Sequence, residues 1–465
     1  VRVLLLLPPP VLDAAPVHPR HPPLYSLTTA AALRAAGHDV HISDEHLRDP
    51  ALARIVAEAA AHDPDVLLVC QNDYNRKIDP PVLDRLVRAL RDALPGDAPV
   101  AAYGRLDAAH ARAALDAVPA LDIVLYGEPE LSVVAFVADP SAAVQGSIRR
   151  GDPHVDTPPE RADLDALPFS AWDLVDIGDY GFSPHQEAAD TVYPVLASRG
   201  CPFPCFYCEV RIRPGWIARS VDSVLAELNH LRATHRTRAV FFADPTFGVD
   251  REWALELCRR LPAEGPPDLR WSCMSRTDRV DPELLGAMAA AGCWNILFGI
   301  ESLNEPALKA ARKNLDPATV EPAIRAAKAA GIEVIASIMV GLPGDSAAGF
   351  EDTLGRLIDM EPDFAQFFVT QITADVAPEG GTLASEWDGS RYDFFGRVYV
   401  PAGFESAAQL VELRRRAFRR FYLRPSYIAS TARRMLRSGE VGGQLARAAR
   451  GGLLAARLAA GERLS

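Results

Sequence analysis

Short apolar runs alternate with amphipathic stretches along most of the chain, and the alternation occurs twice. In the first third, VRVLLLL (1–7), DVHIS (39–43), DVLLVC (65–70), APVAAYG (98–104) and DIVLYG (122–127) are short and apolar, as interior strands of a parallel sheet are. Between them SLTTAAALRAAG (26–37), ALARIVAEAAAH (51–62), PPVLDRLVRALRDAL (80–94) and AAHARAALDAV (108–118) carry helical spacing. The pattern predicts a doubly wound α/β sheet over residues 1–138. Residues 139–190 are rich in Pro, Asp and Gly and read as a linker. Strands then return at 192–198, 239–244, 269–275, 295–301, 333–341 and 364–370, with helical patterns at 223–234, 251–261, 282–292, 318–331 and 349–360. Six strands with interleaved helices predict a partial (β/α)6 barrel over 191–375, followed by a mostly helical region over 376–465.

Composition narrows the class. At 465 residues, 49% hydrophobic and 24% charged, the chain is expected to fold as an enzyme-sized globular protein of more than one domain. A net charge of -12 argues against a broad nucleic-acid footprint. The opening VRVLLLLPPP is too short for a secretory signal core, and no apolar run reaches membrane-spanning length. Cys70, Cys258, Cys273 and Cys293 stand isolated in apolar contexts, which reads as inert core thiols of a reducing cytoplasm. The tail from Val411 to Ser465 holds thirteen Arg against Glu412, Glu440 and Glu462. It is expected to cap the barrel as amphipathic helices, with weak contact to a membrane surface or an anionic carrier as the other reading.

The candidate chemistry lies in SRGCPFPCFYC (198–208), which gathers Cys201, Cys205 and Cys208 after the first barrel strand. A structural zinc would need a fourth ligand, and neither His185 nor His230 has finger-like spacing to the cluster. A redox pair of Cys205 and Cys208 leaves Cys201 unexplained. Iron–sulfur clusters are normally held by four thiolates, so three leave one iron open, as catalytic metals require.

C-x-x-x-C-x-x-C in this position resembles the radical S-adenosylmethionine (radical SAM) superfamily. The resemblance implies a 4Fe-4S cluster on the three cysteines, with S-adenosylmethionine chelating the fourth iron. Tyr207 then matches the aromatic position that faces adenine. FFADPTFGVD (241–250) puts Asp244 where the methionine amino group is held, and WSCMSRTDRVDPELL (271–285) puts Arg276 near the methionine carboxylate. LFGIES (297–302) offers Glu301 to the ribose hydroxyls, supported by Ser302, and SIMVGLPGDS (337–346) resembles the strand that flanks adenine. Read without the family, Asp244 and Glu301 are helix caps and Arg276 a member of a surface ion pair.

The preceding sheet resembles the Rossmann-type cobalamin-binding domain. No G-x-G-x-x-G follows a strand, so a dinucleotide is not expected. The loops at the strand ends offer Asn72, Asp73, Tyr74, Arg76, Tyr103, Gly104, Gly127 and Glu128 to a corrin. The D-x-H-x-x-G motif that supplies a cobalt ligand in many such domains is missing. DEHLRD (44–49) has its Asp and His but lies after the second strand, so His46, like His18 and His21, reads as a loop residue. The order of sheet, linker and barrel resembles cobalamin-binding radical SAM proteins of the class B methyltransferase type over residues 1–375, and AFRRFYLRPSYI (417–428) resembles a later segment of the group. That resemblance implies methylation of a poorly activated carbon, less often phosphorus, of a natural-product or lipid precursor, through a 5'-deoxyadenosyl radical and methylcobalamin. It also implies a small-molecule substrate and an external electron donor such as flavodoxin or ferredoxin. A cyclase or rearrangement enzyme without net methylation, and a non-catalytic corrinoid-binding protein, are the other readings. Tyr392, Phe394 and Phe395 read as substrate-side or core aromatics.

Overall fold

A computed structural model describes residues 1–9, 21–47, 51–73, 76–78, 80–94, 98–151, 161–181, 191–208, 210, 215–372, 380–384 and 397–437. The backbone divides into two compact units, Val1–Gly181 and Phe182–Leu464.

The first unit runs β1 (Arg2–Leu7), α1 (Leu24–Ala35), β2 (Asp39–Asp44), α2 (Leu52–Ala61), β3 (Val66–Asp73), β4 (Arg76–Lys77), α3 (Pro80–Ala93), β5 (Val100–Gly104), α4 (Ala108–Ala117), β6 (Ile123–Leu125), α5 (Pro129–Ala138) and β7 (Ser147–Arg149). Five strands are parallel in the order β2-β1-β3-β5-β6, β7 adds antiparallel to β6, and β4 folds back on the end of β3. On one face Leu4, Leu6, Leu67, Val69, Ala102 and Val124 meet Ile55, Leu83, Leu86, Leu90 and Leu115 of α2, α3 and α4. Helices α1 and α5 pack against each other and against the strands. Strands buried on both faces explain the continuous apolar runs. The order reverses between β1 and β3, which opens the ligand crevice of such sheets at their carboxyl ends.

Residues 139–181 belong to this unit, although their composition reads as a linker. Besides β7, the main-chain N–H of Ala171 donates to Leu27 O (3.2 Å), Arg34 pairs with Asp173 (2.7 Å), and the Tyr180 hydroxyl donates to Asp44 (2.7 Å). The described part of the segment lacks periodicity because it is held by individual contacts along the unit, with three of its described residues in a strand.

The second unit runs β8 (Tyr193–Val195), β9 (Ser198–Cys201), β10 (Gly215–Ala218), α6 (Val221–His235), β11 (Ala239–Phe242), α7 (Arg251–Glu264), β12 (Arg270–Ser275), α8 (Pro282–Ala290), β13 (Cys293–Glu301), α9 (Glu305–Ala310), α10 (Val320–Ala329), β14 (Glu333–Val340), α11 (Ala347–Asp359), β15 (Phe364–Val369), β16 (Gln371–Ile372), β17 (Gly381–Leu383), β18 (Arg397–Pro401), α12 (Ala407–Tyr422) and α13 (Pro425–Arg437). Its parallel sheet has the order β8-β11-β12-β13-β14-β15, the open β/α arrangement of a partial barrel. Side-chain caps begin α6, α7, α8 and α11, from Ser220, Asp250, Asp281 and Ser346.

Two expectations change. The first barrel strand is broken: β8 stays in the barrel sheet, while β9 leaves it to pair antiparallel with β10. Gly200 makes the second pairing possible, since its φ is +82° and a Cβ there would lie 2.0 Å from Gly215 O. The region after 375 is not helical throughout, because β16, β18 and β17 form a small antiparallel sheet before α12. Helix α12 then packs on β15, with Phe418 and Phe421 against Phe367, and its outer Arg416 and Arg420 pair with Glu351. No described helix is long and apolar enough to cross a membrane.

Candidate active site

The thiol loop leaves β9 at Cys201 and is anchored twice. Phe206 is buried among Ala307, Ala311, Met339, Leu342, Ile372 and Tyr399, and its N–H donates to Ala311 O (3.2 Å). Phe203 lies beneath two guanidinium groups, Arg276 at 3.9 Å and Arg279 at 5.2 Å from the ring centroid. Between these anchors stand the thiols of Cys201, Cys205 and Cys208, none of them in a disulfide. Among the described residues no three His, Cys, Asp or Glu side chains converge on one ion position. A cubane needs no such point, since each thiolate binds a separate iron. Burial pushes the Cys205 thiol up, while the Lys313 charge and a bond to Tyr207 pull it back. Tyr207 packs edge-on against Phe206 (5.6 Å), and burial raises its hydroxyl well above the ordinary range.

Opposite sheet strands supply the other groups. Glu301 ends β13 at a register shift against β14, with φ +68° in the left-handed region that non-glycine residues seldom adopt. Its carboxylate is buried, 3.5 Å from Lys313 Nζ and 3.4 Å from the Ser337 hydroxyl, which donates to it. Burial pushes Glu301 up, and Lys313 followed by Ser337 works against that. Gly299 leaves the room: a Cβ there would stand 2.9 Å from Glu301 Oε1. Ser302 turns away, donating or accepting with Thr353 and accepting from Asn304 N–H (3.0 Å). Glu301 caps no helix.

Arg276 is buried rather than in a surface pair. It clasps Asp278 with Nε and one NH2 group (2.9 and 2.8 Å), donates to Lys313 O (3.0 Å) and places its guanidinium carbon 3.9 Å from the centroid of the Phe203 ring. Its charge is thus already balanced by Asp278. Asp244 accepts from the Ala197 N–H (3.1 Å) and the Ser198 hydroxyl, bracing the break between β8 and β9. Lys313 is the residue that sequence reasoning missed. It sits in the polar stretch ARKN, where nothing in the periodicity marks burial.

In the first unit the strand-end residues divide. Asp73 accepts from the N–H groups of Tyr25 and Ser26 (2.9 and 2.8 Å) and from the Ser26 hydroxyl (2.5 Å), so it caps α1. The Tyr103 hydroxyl meets the same Ser26 at 2.6 Å. Gly104 pairs in register with Asn72, and Gly127 turns at φ +89° with its N–H donating to Leu106 O (3.0 Å). Glu128 stands 3.5 Å from Arg105, a second residue that sequence reasoning passed over. Asn72 and Arg76 lie on β3 and β4, but their side chains are outside the described set. The whole of Tyr74, His18, Tyr392, Phe394 and Phe395 is outside the described residues.

Residues 195–357, which carry the thiol loop, Asp244, Arg276 and Glu301, match the profile of the Radical SAM superfamily. The second unit contains a radical SAM domain. Beyond this domain the likeness extends along the chain. An uncharacterized methyltransferase, PH0819, from Pyrococcus horikoshii is 25% identical over 453 residues, 92% of this chain and 94% of the relative. The anaerobic magnesium-protoporphyrin IX monomethyl ester cyclase of Synechocystis sp. is 28% identical over 376 residues, 78% of this chain and 73% of the cyclase. In fold, the chain resembles the radical S-adenosylmethionine methyltransferase TsrM from Kitasatospora setae, solved with cobalamin and a [4Fe-4S] cluster, at a TM-score of 0.69 and 17% identity over 89% of this chain and 90% of that one. The radical SAM domain therefore follows a doubly wound sheet in a known combination.

Proposed function

We propose that this protein is a cobalamin-dependent radical SAM methyltransferase acting on a poorly activated carbon, less readily on phosphorus, of a small natural-product or lipid precursor. The observation that carries the reading is three thiols outside any disulfide on one loop, in a unit whose β13 ends in a buried carboxylate beside a buried lysine, preceded by a doubly wound sheet. The residues fit the cofactors. Three thiolates leave one iron open for S-adenosylmethionine, and two carboxylate oxygens suit a ribose diol, which offers two donors. The sheet's strand ends hold a buried donor on Arg105 and an acceptor on Gln71 with no hydrogen-bond partner.

When bound, the cluster would supply one electron for reductive cleavage of S-adenosylmethionine and cobalamin would supply the methyl group. The chain's own work is to hold and orient. Cys201, Cys205 and Cys208 would hold the iron, Lys313 offsets part of the burial that pushes Glu301 up, and the Glu301 oxygens offer acceptors. Tyr207 offers an aromatic face at the thiol loop. A reducing protein such as flavodoxin or ferredoxin is the expected electron donor, in the cytoplasm.

A second reading, ring formation or rearrangement without net methylation, is favoured by the likeness to the cyclase over 78% of this chain. Both readings require the cluster. Anaerobically reconstituted protein is expected to form 5'-deoxyadenosine from S-adenosylmethionine, and the Cys201→Ala/Cys205→Ala/Cys208→Ala variant to lose iron while keeping its fold by circular dichroism. An intact cluster in that variant would sink the proposal. Methyl-deuterated S-adenosylmethionine separates the two readings: label in the product of a candidate substrate means methyl transfer, and an unlabelled rearranged product means the second.

A further inference from the structure

At the strand ends of the first unit most polar side chains are committed to one another. Asp73 and Tyr103 serve α1 through Ser26, and Thr28 donates to Glu130. Arg105 is different. It follows β5 directly, its side chain is 9% exposed, and its guanidinium lies 4.5 Å from the centroid of the Tyr25 ring. Its contact with Glu128 is 3.5 Å, longer than a charge-assisted hydrogen bond, and its Nε has no partner. One strand over, Oε1 of Gln71, a residue 7% exposed, has none either. Burying a donor and an acceptor unpaired is costly, and a ligand bearing both would recover the loss.

We infer that Arg105, with Glu128 and Gln71, recognises a primary carboxamide on the rim of a corrinoid. The inference rests on the cobalamin reading above. The guanidinium donates to the amide oxygen, and the side-chain oxygens of Glu128 and Gln71 accept from its NH2 group. A phosphate is the poorer match. Arg105 is already balanced by Glu128, so the pair has little net attraction for an anion, and the Glu128 carboxylate repels one. A neutral amide brings one acceptor and two donors with no net charge. The corrin ring is edged with neutral acetamide and propionamide groups of this kind. The location agrees with the rule that doubly wound sheets bind ligands at the carboxyl ends of their strands.

The test is an optical titration of the full-length protein with hydroxocobalamin and with cobinamide, which keeps the ring amides but lacks the nucleotide phosphate tail. The Arg105→Met/Glu128→Leu variant removes both members of the pair, an exchange that buried ion pairs commonly tolerate. It is expected to keep the melting temperature of the ligand-free protein and to bind both corrinoids about tenfold or more weakly, the effect of one lost buried hydrogen bond or two. Arg105→Lys keeps the charge without the planar fork and is expected to weaken both as well. Weakening confined to cobalamin would mean that the pair reads the phosphate and would overturn the inference. Undiminished affinity in both variants would overturn it too, whether or not the melting temperature falls, because the pair would then be purely structural. If the unaltered protein binds neither corrinoid, the cobalamin reading itself fails and takes this site with it.

Discussion

Asp244 and Glu301 are both buried carboxylates of the radical SAM domain, and they answer burial differently. Asp244 has neutral partners, the Ala197 and Ser198 N–H groups and the Ser198 hydroxyl, and burial pushes it up to about 6 from 3.8. The native state therefore keeps a proton that the unfolded chain releases between about pH 4 and 6. Stability from this group is greatest below about pH 4 and is lost as pH rises through 6. Asp244→Asn puts a neutral amide that does not titrate in the same place, and the dependence disappears. The unfolding free energy of the variant, relative to the parent, is expected to rise by about 2 kcal/mol from pH 4 to pH 7 in urea titrations, and a difference independent of pH would refute it. Glu301 instead has Lys313. The sequence made Glu301 legible because it ends an apolar strand in a recognisable motif. Lys313 was not legible, because its burial depends on the turn after α9, where Arg312 and Asn314 take φ of +53° and +49°. Arg276 was legible as a candidate, but its saturation by Asp278 belongs to the folded loop alone.

At the scale of elements, the thiol loop is held by β12 as much as by β9. Arg276 joins three segments: Phe203 between the cysteines, Asp278 after β12, and the main chain at Lys313. This makes Arg276 a positioning residue for the cluster loop. Arg276→Met and Phe203→Ala are each expected to release iron to a chelator about tenfold faster than the parent, with altered EPR line shape, while Phe203→Tyr stays near the parent because the cation keeps a ring to cover. Equal release rates and identical spectra would refute the role. The long interior strands were readable from the sequence because burial on both faces writes an unbroken apolar run. The hairpin of β9 and β10 and the small sheet of β16 to β18 were not, because their strands are only two to five residues long and lie among Gly and Pro. Position-specific demands such as the close approach of Gly200 to Gly215 leave no periodic trace.

For the whole molecule, the order of a doubly wound sheet and then a partial barrel was legible, whereas the division between them was not. Composition marks 139–190 as a linker, yet Asp173 and Tyr180 hold that stretch against Arg34 and Asp44. A fragment of residues 1–181 is accordingly expected to unfold cooperatively in denaturant, and a fragment of residues 1–138 to be markedly less stable, having lost β7 and these contacts; equal midpoints would contradict the division. In the second unit, the end of α12 has a consequence of another kind. β15 is an outer strand of its sheet, and the Tyr422 hydroxyl accepts from Ala365 N–H (3.0 Å) and donates to Ala365 O (2.7 Å), occupying the two main-chain groups that one residue of this border would offer to a further strand. An open barrel necessarily has such a border, and a bare border invites a neighbouring copy to add its own strand. One phenol at the end of α12 thus takes up part of the border that such a strand would need, a task unrelated to the chemistry inside.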